Sequence, residues 1–425
     1  MSLINRLFRQ ITGQSRLDRA RRRRPFSPFG PQAAQVETLE CRTLLTAYAA
    51  ATTAQLVADI NAANKAGGDN TITLTSQATS PYDLAGVSNS VGGTLLPVIK
   101  KGDNLTIVTG NGSASPGFGD TIDAAQFGRI FDIASGASLT LENVTLQNGM
   151  ARSAGAAVDG GAIYNQGTLV LSSVLVQENT ALGHAGTVQH NKVGGAGQDA
   201  AGGGVWSDGS LTVENGTVFQ DNTALGGGCA ITSAGTGLGG KAFGGAIDIA
   251  GGTADITGTT FGAVSLAFGN TAQGGAGNNT ASNLGGAAYG GAVYVAAGTV
   301  VMDVDTVGSA QLALLGYQTQ NVAQGGADLP GNVGTGNAYG GGLYVAGGTV
   351  TLLNDIVEGN VAGTPFGGTS VTYLDGYGGG IFIASGATVS IDSCTGYNTN
   401  YNSDSSGIYF GNTANIDGTY ILLSC

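Results

Sequence analysis

The sequence predicts an all-β chain, a single-stranded right-handed parallel β-helix: a three-sided solenoid with one short capping helix near its start. Three observations predict it. A glycine-led phrase recurs along most of the chain, the segments between its copies alternate strictly between apolar and polar residues, and the glycines are placed rather than scattered. The phrase is two or three glycines, an aliphatic residue and then usually a ring. It reads Gly160-Gly161-Ala162-Ile163-Tyr164, Gly202-Gly203-Gly204-Val205-Trp206, Gly244-Gly245-Ala246-Ile247-Asp248, Gly290-Gly291-Ala292-Val293-Tyr294, Gly340-Gly341-Gly342-Leu343-Tyr344 and Gly378-Gly379-Gly380-Ile381-Phe382. Ile130-Phe131 is taken as an early copy without the glycine pair and Gly407-Ile408-Tyr409 as a reduced last one. The aliphatic residue then recurs at intervals of 33, 42, 42, 46, 50, 38 and 27 residues, a range that belongs to solenoids.

The filling of each period selects the solenoid. Ser138-Leu139-Thr140-Leu141-Glu142, Thr168-Leu169-Val170-Leu171-Ser172, Ser210-Leu211-Thr212-Val213-Glu214 and Thr388-Val389-Ser390-Ile391-Asp392 alternate with period two and carry β-branched residues. Each reads as a half-buried strand. Three short strands per period, joined by tight turns, make coils that stack as parallel strands. Glycine is 76 of 425 residues, but glycine and proline together stay near 20%, below the roughly 25–30% of low-complexity disordered chains. Val, Ile, Leu and Ala suffice to fill a long, thin core.

Residues 1–47 read as a separate tail. They hold nine of the sixteen basic residues, all Arg and including Arg21-Arg22-Arg23-Arg24, against three acids. This segment is +6, so the body over 48–425 carries −18 of a chain whose net charge is −12. An arginine run is a generic nucleic-acid arm, but no interleaved rings and no basic body accompany it. No 7–15-residue apolar stretch follows it, as an ordinary secretory signal requires. Leu39-Glu40-Cys41-Arg42-Thr43-Leu44-Leu45 resembles the Leu-Glu-Pro-Arg-x-Leu-Leu motif of large exported bacterial surface proteins, with Cys41 where Pro or Asp is usual. That resemblance implies export to the cell surface.

In the body, 53–66 is the one segment with a helical stripe (Leu56, Val57, Ile60, Ala63), with Thr53 as cap and Gly67-Gly68 as stop. It is expected to plug the first coil, whose core and strand edges would otherwise be bare. Thr71–Leu74, Thr94–Ile99, Leu105–Val108 and Thr121–Asp123 follow as irregular first coils. This run resembles the opening of pectate-lyase-like β-helix proteins. The repeats over 130–425, with their Gly-Gly-Ala-Ile phrase and a downstream Asn, resemble those of the polymorphic outer-membrane proteins, a surface-exposed β-helix family that includes adhesins. Only Phe219-Gln220-Asp221-Asn222 carries the Phe usual in that family. The resemblance implies fold and surface location.

Candidate functional residues fall in columns. Asn148, Asn179, Asn222, Asn270, Asn321 and Asn360 recur at one corner, where Asn tolerates a left-handed backbone and can hydrogen-bond to the next Asn up the stack. With each aliphatic pointing inward, the next residue points out: Phe131, Tyr164, Trp206, Asp248, Tyr294, Tyr344, Phe382 and Tyr409. Rings about 5 Å apart suit the flat faces of sugars or the side chains of a partner. The other reading is a ladder packed beneath the Gly/Ala-rich inserts at 182–201, 225–243, 273–289, 324–339 and 363–377, most of which end in a ring (Phe243, Tyr289, Tyr339, Tyr377). A third column, Glu142, Ser172, Glu214, Thr257, Asp303, Leu353 and Asp392, spaces its acids for solubility rather than for a metal ion.

The expectation is a non-enzymatic, exported surface protein that binds a surface polysaccharide or another surface protein, or serves structurally. It has no cofactor or metal, no nucleic-acid partner and no transmembrane segment. The body holds two Arg (Arg129, Arg152), five Lys and two His (His184, His190, both in one insert), too few for the acid–base clusters of lyases and hydrolases. The alternative is a carbohydrate-active enzyme, a polysaccharide lyase or glycoside hydrolase of the pectate-lyase-like superfamily. A groove gathering two or more carboxylates with Arg129, Arg152 or a Lys separates the two. Cys394 and Cys425 fall in neighbouring terminal coils, where a bridge would tie down the open end.

Overall fold

The alternating segments pair in parallel, each with its counterpart one period on. In the computed structural model of the chain, the described residues are 46–425 apart from 76–81, 88–92, 111–118, 153–157, 188–194, 231–236, 263–267, 278–284, 309–319, 327–335, 364–374, 399, 405–406 and 410–414. The arginine run and the Leu-Glu-Cys-Arg segment lie outside them. Thr43–Cys425 forms one compact unit, a parallel β-helix.

Three parallel sheets wall its core. The first takes the glycine phrases, from Phe131–Ile133 through Ile163–Asn165, Val205–Ser207, Ile247–Ile249, Val293–Val295, Leu343–Val345 and Ile381–Ile383 to Ile416–Asp417. The second has eleven strands, from Thr46–Ala50 to Ile421–Leu423, and contains all the five-residue alternating segments. The third has nine, from Tyr82–Asp83 to Gly396–Asn398. Thr94 and Ile99, expected within a strand, make only single bridges to Arg129 and Ile133.

Registers are strict. Ile163, Val205, Ile247, Val293, Leu343 and Ile381 stand one above another, all buried. The glycine pair explains this regularity. The first glycine of each phrase turns the corner at positive φ (65° at Gly160, 57° at Gly244), a region costly for any residue with a Cβ. The second lies against the next coil: a Cβ on Gly161 would strike the carbonyl oxygen of Gly203, and one on Gly245 that of Gly291. One helix, Thr53–Ala66, buries Leu56, Ile60 and Ala63 in the same core and packs on the strands Thr46–Ala50 and Gly68–Leu74. Its N-cap is Thr52, whose hydroxyl accepts from the Gln55 N–H at 3.3 Å. Thr53, the expected cap, instead donates to the Asp83 carbonyl. Among the described residues no helix is long and apolar enough to cross a membrane.

The inserts begin and end as strands. Their outgoing starts (Thr180–Leu182, Thr223–Leu225, Thr271–Gln273, Val322–Gln324, Val361–Ala362) form a fourth sheet, and their returning ends (Ala200–Ala201, Ala242–Phe243, Ala288–Tyr289, Ala338–Tyr339, Gly376–Tyr377) a fifth. The two are held together by their own small core of Ala224, Ala242, Ala272, Ala288, Ala323, Ala338 and Ala362. Farther out, outgoing and returning glycines alternate along one hydrogen-bonded zigzag: Gly240 N–H to Gly227 O, Gly275 to Gly240, Gly286 to Gly275, Gly326 to Gly286, each 2.8 Å. The inserts are thus a second layer on the flank, and glycine is required there because backbone packs on backbone. Cys394 and Cys425 form a disulfide, Cα–Cα 5.5 Å.

Candidate functional site

The first sheet's outward residues form a ring column, shorter at both ends than expected. Tyr164 and Trp206 stack at 4.5 Å and 4° between planes. After Asp248, Tyr294 and Tyr344 stack at 5.4 Å, and Tyr344 and Phe382 at 5.2 Å. Phe131 is not in this column. It pairs with Ile163 and is fully buried, so Asp132 stands beside Tyr164 instead. Without a glycine pair, the early copy enters one residue out of step. Tyr409 is also elsewhere: Gly407–Tyr409 pairs antiparallel with Tyr401–Asp404 in the fourth sheet, and Asp417 follows Phe382.

A second ring column runs beside the first. On the returning strands Phe243, Tyr289, Tyr339 and Tyr377 stack at 5.2, 5.3 and 5.2 Å. They meet the first column edge to face, Tyr289 with Tyr344 at 5.0 Å and Tyr339 with Phe382 at 5.0 Å. Such offset contacts are the favoured aromatic geometry. The rings of the two columns pack beside one another and stay half-buried, with Tyr377 exposed. Crowding pushes the Tyr289 phenol up to about 12, through burial and then its neighbours Tyr339 and Tyr344.

Charged groups gather where the columns begin. Arg129 lies 5.1 Å over the Tyr164 ring and donates to the carbonyls of Gly160 (2.9 Å) and Asp159 (2.6 Å) and to the Thr94 hydroxyl (3.3 Å). Burial raises the pKa values of Asp132 and Asp159, and Arg129 opposes both shifts. Asp248 interrupts the ring column between Trp206 and Tyr294. It is 4% exposed, its Oδ1 has no hydrogen-bond partner, and burial followed by Asp159 holds its pKa well above the carboxylate range. Asp159, Asp199, Ala200, Ala201, Trp206, Phe243, Asp248 and Tyr294 line a notch of about 230 Å³.

The Asn column is a buried hydrogen-bond ladder. Nδ2 of Asn179 donates to Oδ1 of Asn222 at 2.9 Å, Asn222 to Asn270 at 2.9 Å, Asn270 to Asn321 at 3.0 Å and Asn321 to Asn360 at 2.9 Å. It continues through Asn400 to Asn415, two rungs sequence reading missed for want of the Thr-Ala or Val-Ala that follows the others. Asn148 is not a rung: Gly149 N–H meets Asn179 Oδ1, while Asn148 donates to Asp123. The left-handed residue of this corner is the one before the ladder, Asn148 itself (φ 55°), Glu178 (56°) and Asp221 (53°).

A second polar ladder went unread. At the next corner the Thr259 N–H donates to Asp305 (2.7 Å), Asp305 N–H to Asp355 (2.8 Å) and Asp355 N–H to the Thr395 hydroxyl (3.2 Å). Burial pushes Asp305 up to about 8 and Asp355 to about 7. Their signal was one polar residue just before each third-wall strand from Val218–Gln220 onward. In the outward acid column, Asp392 is buried, accepting from Thr395 Oγ1 at 2.6 Å and Asn354 N at 3.1 Å. His184 is exposed with Nδ1 2.6 Å from the Ala185 carbonyl, and His190 lies outside the described residues. Comparison of the chain with known protein families, curated proteins and solved structures finds no match.

Proposed function

We propose that this is an exported β-helix protein acting at the cell surface by binding, with a polysaccharide as ligand along the paired ring columns. The observation that carries the reading is continuity: from Phe243 and Tyr294 to Tyr377 and Phe382, two columns of rings lie side by side at about one ring per coil and stay half-exposed. Such a face offers apolar platforms at a spacing a sugar chain can follow. Export is supported by the surface-targeting resemblance of Leu39–Leu45 and by the disulfide, a bond that persists in oxidising compartments. The likeness to pectate-lyase-like and polymorphic outer-membrane repeats points to the same place. Fractionation of expressing cells tests the location; a purely cytosolic signal would sink it.

A glycan array probed with the wild type and with Trp206→Ala plus Tyr294→Ala tests the face. Retention by the wild type and loss in the double variant is expected. Equal binding by both proteins, or none by either, removes the reading.

The enzyme reading has its own observation, because Arg129 lies within electrostatic reach of two acids, Asp132 and Asp159, and Asp159 of Asp248. We place it second because the guanidinium is spent on backbone carbonyls and on the Tyr164 ring. Release of reducing ends from a bound glycan, abolished by Asp159→Asn, would reverse that order.

A further inference from the structure

The notch at Asp248 lies where the first ring column is interrupted and the second one starts. In the first column Asp248 replaces a ring between Trp206 and Tyr294. In the second Ala201 stands where the next coil has Phe243. Trp206 and Tyr294 are two coils apart, about 9.5 Å at ~4.8 Å per strand. One further ring fits between them at stacking distance on both sides. The notch, about 230 Å³, is smaller than the roughly 300–1,000 Å³ that drug-sized ligands fill. It accepts one ring rather than a chain end.

Its floor specifies what that ring carries. Asp248 is buried with an oxygen that no group among the described residues satisfies, and a buried acceptor without a donor costs stability. Asp159 and Asp199 stand with it in the lining. Among the described residues, Arg129 is held over Tyr164 and Lys241 gives its backbone N–H to Asp199, and neither lines the notch. Burial favours the neutral acid of Asp248 while the notch is empty, and an organic ammonium group seated on it, with Asp159 and Asp199 beside it, draws it to the carboxylate, so that charge-assisted hydrogen bonds and cation–π attraction to the aromatic walls form together on binding. The body's −18 charge favours a cationic ligand and repels an anionic one.

We propose that this notch is a subsite for one amino-sugar unit whose protonated amine binds Asp248 while its ring lies between Trp206 and Tyr294. The proposal rests on the glycan-binding reading of the ring face and deepens it. Titration calorimetry of the full chain with three hexamers tests it: β-1,4-linked glucosamine, its N-acetylated form and cellohexaose. The free-amine hexamer is expected to bind about tenfold or more tightly than the other two, the scale of one charge-assisted contact. Asp248→Asn removes that preference. Asp255→Asn, which deletes the same charge from an exposed position of the second sheet, leaves it. Asp248→Phe restores the missing ring, fills the slot and removes the preference too, in a protein whose unfolding transition shows it folded.

Equal binding of all three hexamers with no effect of Asp248→Asn overturns the subsite and leaves the ring face standing. Equal losses in Asp248→Asn and Asp255→Asn reduce the effect to diffuse charge and also overturn it. Poly-lysine competing as well as the glucosamine hexamer would mean that the notch reads an amine of a protein partner, not a sugar. If the wild type binds no hexamer and no glycan on the array, the binding face itself fails.

Discussion

Two columns of stacked side chains climb the same coils and end differently. The asparagine column is closed: from Asn179 to Asn360 each amide gives a hydrogen bond to the next rung and another to a backbone carbonyl such as Val176 O or Phe219 O. The aromatic column is open: its rings stack face to face but keep an edge to solvent, and it is broken at Asp248 by a buried oxygen with no partner among the described residues. The first arrangement satisfies itself and needs nothing from outside. The second leaves an unmet acceptor beside apolar walls, the condition under which a ligand adds stability. Regularity marks the scaffold, and its interruption marks the candidate site.

That contrast can be broken most forcefully at Asn270. Asn270→Ala takes the acceptor from both the side-chain amide and the backbone N–H of Asn222, and removes one of two donors from the Phe219 carbonyl and from the Asn321 amide oxygen, which keep the Gly262 N–H and the residue-270 N–H. With each buried unsatisfied group costing about 1–3 kcal/mol, a loss of about 3–5 kcal/mol is expected in urea unfolding. A loss below about 1 kcal/mol would mean the ladder is incidental.

The acid ladder responds to pH. Asp305 and Asp355 have folded-state values of about 8 and about 7, raised from 3.8. The folded state therefore holds protons that the unfolded state has released, so stability is fully present below about pH 4 for these groups and is lost as pH rises through 7 to 8. The melting temperature should fall between pH 5 and 9. Asp305→Asn should flatten that fall; a profile unchanged by the substitution would show that these acids are not protonated in the fold.

Asp248→Phe sharpens the comparison in the opposite direction. It removes the orphan oxygen and restores a ring between Trp206 and Tyr294, so a gain of about 1–2 kcal/mol is expected, where most core substitutions destabilise. A destabilised variant would show that the slot cannot accept a ring. An effect of similar size and opposite sign is expected at Tyr344→Ala. A half-exposed ring with its stacking partners should cost about 1–2 kcal/mol by thermal unfolding, well below the cost at Asn270. A larger cost would make the ring face primarily structural.

Much of the fold was legible. A glycine pair before an aliphatic residue marks a corner through backbone sterics alone, and period-two alternation marks a strand whatever its neighbours. Tyr164, Trp206, Tyr294, Tyr344 and Phe382 were placed in one column because each follows an intact glycine pair. Phe131, Tyr409 and Asn148 were misplaced where that punctuation is missing or where Asn occurs one residue early. There, register depends on which residue the adjacent coil accepts. The second ring column was visible only as rings ending inserts of unequal length.

By itself the sequence determined the repeat, its strands and the asparagine ladder from Asn179 to Asn360, because these depend on local conformational preference and on a period shared by successive copies. Only the tertiary structure decided that the described ends of the inserts form an alanine-packed layer, that their terminal rings meet the first column, and that Asp248 interrupts the first column beside the start of the second. Those are contacts between residues some 40 positions apart, set by how coils stack. Nothing local in the chain encodes which gap will face which.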